Sequence, residues 1–375
     1  MNESYTKVTN TSYLDNIKNS IFGVIIGIVL FIASFVVLWM NEGNCVKQID
    51  KANYIEKNAI EIESNNFNEE NNNLLIATNG TAVVKNILSD GILDIENALV
   101  LDRNVEMYQW VEDKKTETKD NMGGSTTTTT TYTYSKKWSS TEHDSTRFEK
   151  SGYDNPPFEI ESKKYSADSA DFGQFFLDKE QIYKIKANKE FIDLPYSSKY
   201  SIVDGKYYSG DNYNKPQIGD LRISYTYAPS GTEVSIIGQQ NPNYTISPLK
   251  LKKGNIYLQY NGLFDKEEMV NKFKTQNTIT TFIFRFVGWL LMFIGLNLII
   301  NPIITVLKII PVLANIANFL TGIILFLISL ILSLLTVAIA WFAYRPLMAI
   351  MLLIIIAGLI YLIKISLSKN KKITP

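Results

Sequence analysis

Four long apolar segments constrain this chain more than any other feature of its sequence. Residues 21–40 carry no charge, and three further apolar runs follow towards the carboxyl end, at 282–305, 317–342 and 347–363. A helix rises 1.5 Å per residue, so about twenty such residues cross a hydrocarbon core of about 30 Å. The sequence therefore predicts four membrane-spanning helices, one at the amino end and three at the carboxyl end.

The flanking residues define how these spans begin and end. The first run has a nearly neutral start and exits through Trp39-Met40-Asn41, which does not resemble a signal-peptide cleavage site. We therefore interpret it as an uncleaved anchor. Lys308 and Pro311 interrupt 306–316, which predicts a short cytoplasmic or interfacial segment, and Tyr344-Arg345-Pro346 predicts a tight turn.

Charges are distributed unevenly along the chain. The 37 basic and 37 acidic residues cancel overall, but residues 281–375 hold seven basic and no acidic residues, which leaves a net charge of −7 on residues 41–280. Short basic loops stay in the cytoplasm. We therefore expect cytoplasmic tails at 1–20 and 364–375, and an exoplasmic domain at 41–280.

The middle segment has the pattern of an α+β domain built mainly from antiparallel strands. Asn79-Gly80 is a typical hairpin turn, and the threonine-rich stretch alternates with tyrosine as strands do. The polar run 65–73 predicts a flexible connection. The predicted helices are 172–186 and 266–276, and the predicted strands are 74–76, 81–87, 105–112, 125–138, 220–227, 233–237 and 255–260.

Composition excludes several kinds of chemistry. The single Cys45 excludes an intrachain disulfide and multi-cysteine zinc sites, and the single His143 lies in a polar loop without a nucleophile motif nearby. Phosphate, dinucleotide and calcium motifs are absent from the sequence, so we expect no enzyme, no cofactor and no bound metal. A zero net charge does not indicate nucleic-acid binding.

Polar and small residues within the apolar runs are the candidate membrane site. Arg285 lies about one turn inside the second span, where a charge must reach the interface or find a partner. Asn297 is expected to hydrogen-bond a neighbouring helix, and Gly288 with Gly295 offers a face for helix packing or for self-association. Arg345 lies in the turn where lipid phosphates would be, and the guanidinium group suits phosphate.

One strand offers candidate surface residues in the middle domain. Glu106, Tyr108 and Trp110 alternate along 105–112, so they face the same side of the predicted sheet. Two interpretations stay open for them. They form either a binding surface or an aromatic part of the core with a polar rim.

The order of these segments, together with several short sequence motifs, resembles the transmembrane protein 43 family. The motifs are Asn41-Glu42-Gly43 after the first span, NVEMYQWVE at 104–112, GDLRIS at 219–224, and Tyr344-Arg345-Pro346-Leu347. In the second span Arg285, Gly288-Trp289 and Gly295-Leu296-Asn297 belong to the same pattern. The resemblance extends from about residue 3 to residue 350.

The resemblance implies a four-pass protein of the endoplasmic reticulum and inner nuclear membrane, with both termini cytosolic or nucleoplasmic and the domain in the lumen. It also implies self-association and binding to emerin and lamins, and no enzymatic activity. The Asn-, Lys- and Ile-rich composition indicates an AT-rich genome, bacterial or protist. If the source has no nucleus, the resemblance implies only a membrane-scaffolding role for this chain, and the membrane would be the cell membrane.

Three functional hypotheses follow. The first is a multipass membrane scaffold that contacts lipids, its own copies and envelope proteins, emerin- and lamin-like only in an animal. The second is a lipid-handling or transport protein with Arg285, Asn297 and Arg345 as its polar path; intramembrane acids, which transporters commonly use, are absent from the predicted spans. The third, a hydrolase in the acidic domain, has the least support.

Overall fold

A computed structural model describes residues 3–252 and 254–346 of the chain. Its helices are α1 (Tyr13–Asn58), α2 (Lys179–Tyr183), α3 (Lys266–Leu307) and α4 (Pro311–Tyr344). The strands are β1 (Glu3–Thr11), β2 (Ile60–Glu63), β3 (Leu75–Val83), β4 (Ile87–Ser89), β5 (Asp94–Glu96), β6 (Ala98–Asp120), β7 (Thr126–Ser139), β8 (Lys163–Ser166), β9 (Ser169–Phe172), β10 (Phe175–Asp178), β11 (Lys189–Phe191), β12 (Ser201–Val203), β13 (Lys206–Tyr208), β14 (Leu221–Pro229), β15 (Thr232–Gln240), β16 (Ile246–Ser247), β17 (Leu249–Leu251), β18 (Gly254–Ile256) and β19 (Leu258–Asn261).

The described chain divides into two units. The sheet unit comprises residues 3–9, 52–117 and 128–273, and the helical unit comprises residues 10–51, 118–127 and 274–346. The long elements α1, β6, β7 and α3 contribute residues to both units.

Two large sheets build the sheet unit. The first has the strand order β1-β7-β6-β14-β13-β12, with β8 beside β6 and β11 beside β14. The second has the order β10-β9-β3-β15-β16, with β19 beside β15 and β2 beside β3. The central pairs β6–β14 and β3–β15 are antiparallel, whereas β2 runs parallel to β3. This architecture confirms the prediction of a large, mainly antiparallel domain.

Alternation along the strands determines the core. In β6 the side chains of Val105, Met107 and Gln109 are buried, whereas the intervening ones are partly exposed. The threonine run forms β7, where Tyr132 and Tyr134 are buried against Tyr153. Both strands therefore follow the two-residue period that the sequence shows.

A buried ion pair lies within the core of the sheet unit. Arg103 Nη1 lies 2.9 Å from Asp90 Oδ2, and the Asp90 side chain is fully buried. The Tyr225 hydroxyl donates to the same carboxylate oxygen over 2.9 Å, and the backbone N–H groups of Ile92 and Leu93 donate to Oδ1. Burial, with Asp90 beside it, raises the pKa of Tyr225. Sequence patterns alone did not indicate this cluster.

Three helices that the structure describes are long and apolar enough to cross a membrane, namely α1, α3 and α4. They contain the predicted spans 21–40, 282–305 and 317–342. Pro311 occupies the first turn of α4, where its missing N–H costs nothing. The predicted segment 306–316 is largely helical, and the predicted span 347–363 and the tail 364–375 lie outside the described residues.

The hairpin predicted at Asn79-Gly80 is wrong, because β3 runs straight through both residues. Its partner β15 pairs with it without interruption from Thr232 opposite Ala82 to Gln239 opposite Leu75. A Cβ atom on Gly80 would lie 2.3 Å from the Ser64 hydroxyl oxygen, so the glycine provides space for a neighbouring segment. Close approach, rather than a turn, explains this glycine.

The helix predicted at 172–186 is also wrong. The segment begins as a hairpin of β9 and β10, with Gly173 at a positive φ of 62° between the strands. Only Lys179–Tyr183 is helical, where Asp178 and Gln181 form a reciprocal capping box. The strand pairing of the phenylalanines outweighs the helical pattern of the sequence.

The polar run 65–73 was predicted as a flexible connection, but it packs against the second sheet. The amide of the buried Gln240 donates to Asn68 O over 2.7 Å and to Asn72 Oδ1 over 3.0 Å. A 3-10 turn at Glu69–Asn71 is capped by the Asn68 side chain. Asparagine carboxamides therefore give this stretch fixed hydrogen-bond partners.

Candidate functional site

The candidate site of the helical unit is a charged contact between α1 and α3. Arg285 Nε lies 2.7 Å from Glu42 Oε1, and its Nη2 lies 2.8 Å from Oε2, which makes the contact bidentate. The Glu42 side chain is fully buried, whereas that of Arg285 is 30% exposed. Such planar pairs of charged hydrogen bonds combine strength with a fixed geometry. The carboxylate of Glu42 therefore depends on Arg285 for its charge balance.

Neighbouring residues complete this contact. The side-chain amide of Asn41 donates to the Thr281 carbonyl oxygen over 3.1 Å. A Cβ atom on Gly43 would lie 2.6 Å from the ring of Tyr344, so a larger residue here would require that aromatic side chain of α4 to move. Each residue of Asn41-Glu42-Gly43 thus contacts another helix of the same chain.

Two glycines of α3 face α1. A Cβ atom on Gly295 would come within 2.8 Å of Gly27 O and Phe31 N, and one on Gly288 would come within 2.5 Å of a Leu38 methyl carbon. Small residues allow membrane helices to approach closely. Because α1 of the same chain covers them, these glycines do not present the self-association face that the sequence suggested.

Among the described residues, Asn297 makes no hydrogen bond to the neighbouring helix that the sequence led us to expect. Its Nδ2 donates to Phe293 O over 2.7 Å, so the bond stays on α3 one turn away. The carbonyl four residues earlier lies within reach of a short polar side chain, and it accepts one of the two N–H groups of the amide.

A different side chain links α3 to α4. Trp289 Nε1 donates to the Ser329 hydroxyl over 3.1 Å, and Ser329 is fully buried. Sequence reasoning missed Ser329. The available signal was the spacing of Ser329, Ser333 and Thr336, which places three small polar residues on one face of an otherwise apolar helix.

Arg345 ends α4. Its backbone N–H donates to Trp341 O over 3.0 Å, and its guanidinium carbon lies 5.3 Å from the centre of the Trp341 ring. This geometry is that of a cation over an aromatic face. Contact with a lipid phosphate stays a prediction for this residue.

The candidate surface residues of β6 form a partly exposed row. Glu106 accepts two hydrogen bonds from Arg222, over 2.5 Å to Nε and 2.9 Å to Nη2, and the hydrogen bond raises the pKa of Arg222. The rings of Tyr108 and Trp138 have centres 5.4 Å apart, and those of Trp110 and Tyr153 have centres 4.9 Å apart.

Two of the sequence motifs, NVEMYQWVE and GDLRIS, are therefore neighbours in space. Glu106 and Arg222 are register partners on the antiparallel strands β6 and β14. The Arg222 guanidinium also lies 4.6 Å from the centre of the Trp138 ring. The acidic residue of this row is thus charge-balanced within the sheet, and its aromatic residues contact other aromatic rings of the same unit.

The single histidine has hydrogen-bond partners among the described residues near it in the chain and on β6. His143 Nε2 lies 3.3 Å from the Ser139 hydroxyl, and its backbone N–H donates to Gln109. Within residues 3–252 and 254–346, no group of three or more His, Cys, Asp and Glu side chains is placed to hold a metal ion.

Strands β6 and β7 form a two-stranded ribbon whose tip comprises residues 120–126. This tip contacts the connection between α3 and α4. Lys308 Nζ lies 3.0 Å from Asp120 Oδ1, Gly123 N donates to Ile309 O over 3.1 Å, and Asn16 donates to Gly124 O over 3.0 Å. The sequence-based topology places Asp120 and Lys308 on opposite sides of the membrane. A contact of this length requires both residues on the same side of the membrane. The exoplasmic assignment of Asp120 and the cytoplasmic assignment of Lys308 are therefore incompatible.

This contact predicts a crosslink between native residues. Treatment of the full-length protein with a zero-length carbodiimide is expected to join Asp120 to Lys308, detected by mass spectrometry, since their charged atoms are in contact. The exposed pair of Lys137 and Asp113, 2.7 Å apart, is the positive control. A crosslink in the control pair alone would place the ribbon tip away from Lys308.

The architecture and the helix contacts define an integral membrane protein. Three described apolar helices, two of them joined by a buried ion pair, belong to a chain with a large antiparallel β domain. A family model described as Transmembrane protein 43 matches residues 107–346. The chain belongs to the transmembrane protein 43 family.

Individual relatives cover most of the chain. Transmembrane protein 43 of Rattus norvegicus is 29% identical over 376 residues, which covers 93% of this chain and 92% of the relative. That of Homo sapiens is 29% identical over 380 residues, covering 95% and 92%. The Drosophila melanogaster homolog is 28% identical over 283 residues, covering 72% and 74%. No solved structure matches the chain. These relatives are named as membrane proteins.

Proposed function

We propose that this protein is a non-enzymatic membrane scaffold that self-associates and organises the membrane in which it resides. The observation that carries the proposal is the bidentate pair of Glu42 and Arg285. The charged side chains of this contact fasten two helices to each other. A transport path would need Arg285 to be available to a substrate, but its guanidinium group is already hydrogen-bonded to Glu42.

Family membership supports the cellular setting of the proposal. In a eukaryotic source the membrane would be that of the endoplasmic reticulum and nuclear envelope, with emerin- and lamin-like partners in an animal. In a bacterial source it would be the cell membrane. In each case the scaffold would contact lipids and further copies of itself through its domain and helices.

Self-association predicts that two differently tagged copies of the full-length protein copurify from one membrane after detergent extraction. Light scattering of the purified protein in lipid nanodiscs should give a mass above that of one 42.6 kDa chain. A single-chain mass at all protein concentrations, with no copurification of the tags, would contradict the proposal.

A substitution of Gly295 provides a control variant for this self-association experiment. Because Gly295 packs against Gly27 in the same chain, Gly295→Leu is expected to lower thermal stability while the remaining folded protein keeps its oligomeric mass. A stable, folded monomer of this variant would instead place the self-association surface on this face.

A further inference from the structure

A polar cleft lies between α3 and α4 within the helical unit. Its volume is about 310 Å³, and four of its lining residues carry polar side chains: Asn297, Asn301, Asn318 and Thr321. The rest of the lining is apolar, including Phe293. Three carboxamides and a hydroxyl therefore converge on one opening between two helices of membrane-spanning length.

These groups lack sufficient partners in the described chain. Within residues 3–252 and 254–346, the side chains of Asn301, Asn318 and Thr321 make no hydrogen bond, and Asn297 uses only one N–H of its amide. In hydrocarbon each unsatisfied polar group costs several kcal/mol. A bound molecule that supplies hydrogen-bonding atoms would remove that cost.

The depth of the cleft indicates which part of a lipid it meets. Asn301 lies six residues before the end of α3 and Asn318 seven residues after the start of α4, so both lie about 10 Å from the helix ends at 1.5 Å per residue. Lys308 lies between those ends. Relative to the predicted spans 282–305 and 317–342, Asn301 lies about 6 Å and Asn318 about 1.5 Å inside the hydrocarbon boundary, close to the level of the glycerolipid ester groups.

The chemistry of the cleft agrees with this depth. Carboxamide N–H groups and a hydroxyl donate hydrogen bonds, and ester carbonyl oxygens only accept them. The nearest basic side chain in the sequence, Lys308, is already paired with Asp120. Recognition would therefore not depend on headgroup charge.

We propose that this cleft binds the glycerol-ester backbone of a diacyl lipid, with Asn301, Asn318 and Thr321 donating to its ester carbonyl oxygens. A volume of about 310 Å³ holds the polar backbone, and the acyl chains would follow the exposed apolar helix surfaces. This site does not rest on the scaffold proposal. A monomeric protein would bind the lipid equally.

The test compares two lipids with the same phosphocholine headgroup, one with ester-linked and one with ether-linked chains. Native mass spectrometry of the full-length protein in detergent is expected to show one retained ester lipid, bound about fivefold to tenfold more tightly than the ether lipid. This factor corresponds to two hydrogen bonds of the strength measured between membrane helices.

The double variant Asn301→Leu/Asn318→Leu is expected to lose that preference. Asn315→Leu is the matched control, because Asn315 lies on the same helix as Asn318 but outside the cleft. If the double variant fails to fold, Thr321→Val and Asn301→Leu alone are compared in the same way.

Three results would overturn the proposal. Equal binding of both lipids by the unmodified protein would show an apolar groove without ester recognition. An unchanged preference in the cleft variants would place the lipid elsewhere. The absence of any retained lipid, with Asn301→Cys protected from thiol reagents, would show that another part of the chain covers the cleft.

Discussion

Arg285→Met is expected to destabilise the full-length protein by about 3–5 kcal/mol, because it leaves the carboxylate of Glu42 buried without a counter-charge. Glu42→Gln should cost less, about 1–3 kcal/mol, since the Arg285 side chain is 30% exposed and reaches water more readily. The free energy of unfolding in mixed detergent micelles measures both.

The control for this prediction is an exposed pair on α1. Lys18 and Asp15 are 3.7 Å apart with side chains 76% and 56% exposed, so Lys18→Met should cost less than about 1 kcal/mol. Equal effects of Arg285→Met and Lys18→Met would show that the buried pair does not hold α1 against α3.

Asp90→Ala is expected to destabilise the sheet unit by about 3–5 kcal/mol. The substitution leaves Arg103 unpaired in the core and removes the acceptor of two backbone N–H groups and of the Tyr225 hydroxyl. Hydrogen exchange of β6 and β14 in the full-length protein measures this loss, because these strands contain Arg103 and Tyr225.

An exposed ion pair of similar length shows whether burial is responsible. Lys137 and Asp113 lie 2.7 Å apart with half-exposed side chains, so Asp113→Ala should change the exchange free energies by less than about 1 kcal/mol. If β6 and β14 are protected from hydrogen exchange as strongly in Asp90→Ala as in Asp113→Ala, the stabilising role of the buried cluster is contradicted.

Local periodicity explains what the sequence predicts correctly. Charge-free runs of twenty residues specify the described spans, and two-residue alternation specifies β6 and β7. These patterns depend only on neighbours in the chain. Partners distant in sequence are a different matter: Glu42 and Arg285 are separated by 243 positions, and neither residue alone identifies the other.

The errors have the same physical origin. Asn79-Gly80 has the composition of a turn, but pairing with β15 on one side and the proximity of Ser64 on the other keep the chain extended there. For Gly288 and Gly295 the sequence showed a helix-packing face without showing which helix covers it. Tertiary contacts selected one option among several that were locally acceptable.

A double-mutant cycle of Glu42→Gln and Arg285→Met in the full-length protein is the decisive measurement. If the two side chains fasten α1 to α3, the double variant should be more stable than the sum of the single effects predicts, by at least about 1.5 kcal/mol. Effects that add within about 0.5 kcal/mol would contradict a direct interaction. Apolar packing and the hydrogen bond from Asn41 to Thr281 would then hold the two helices together without the ion pair.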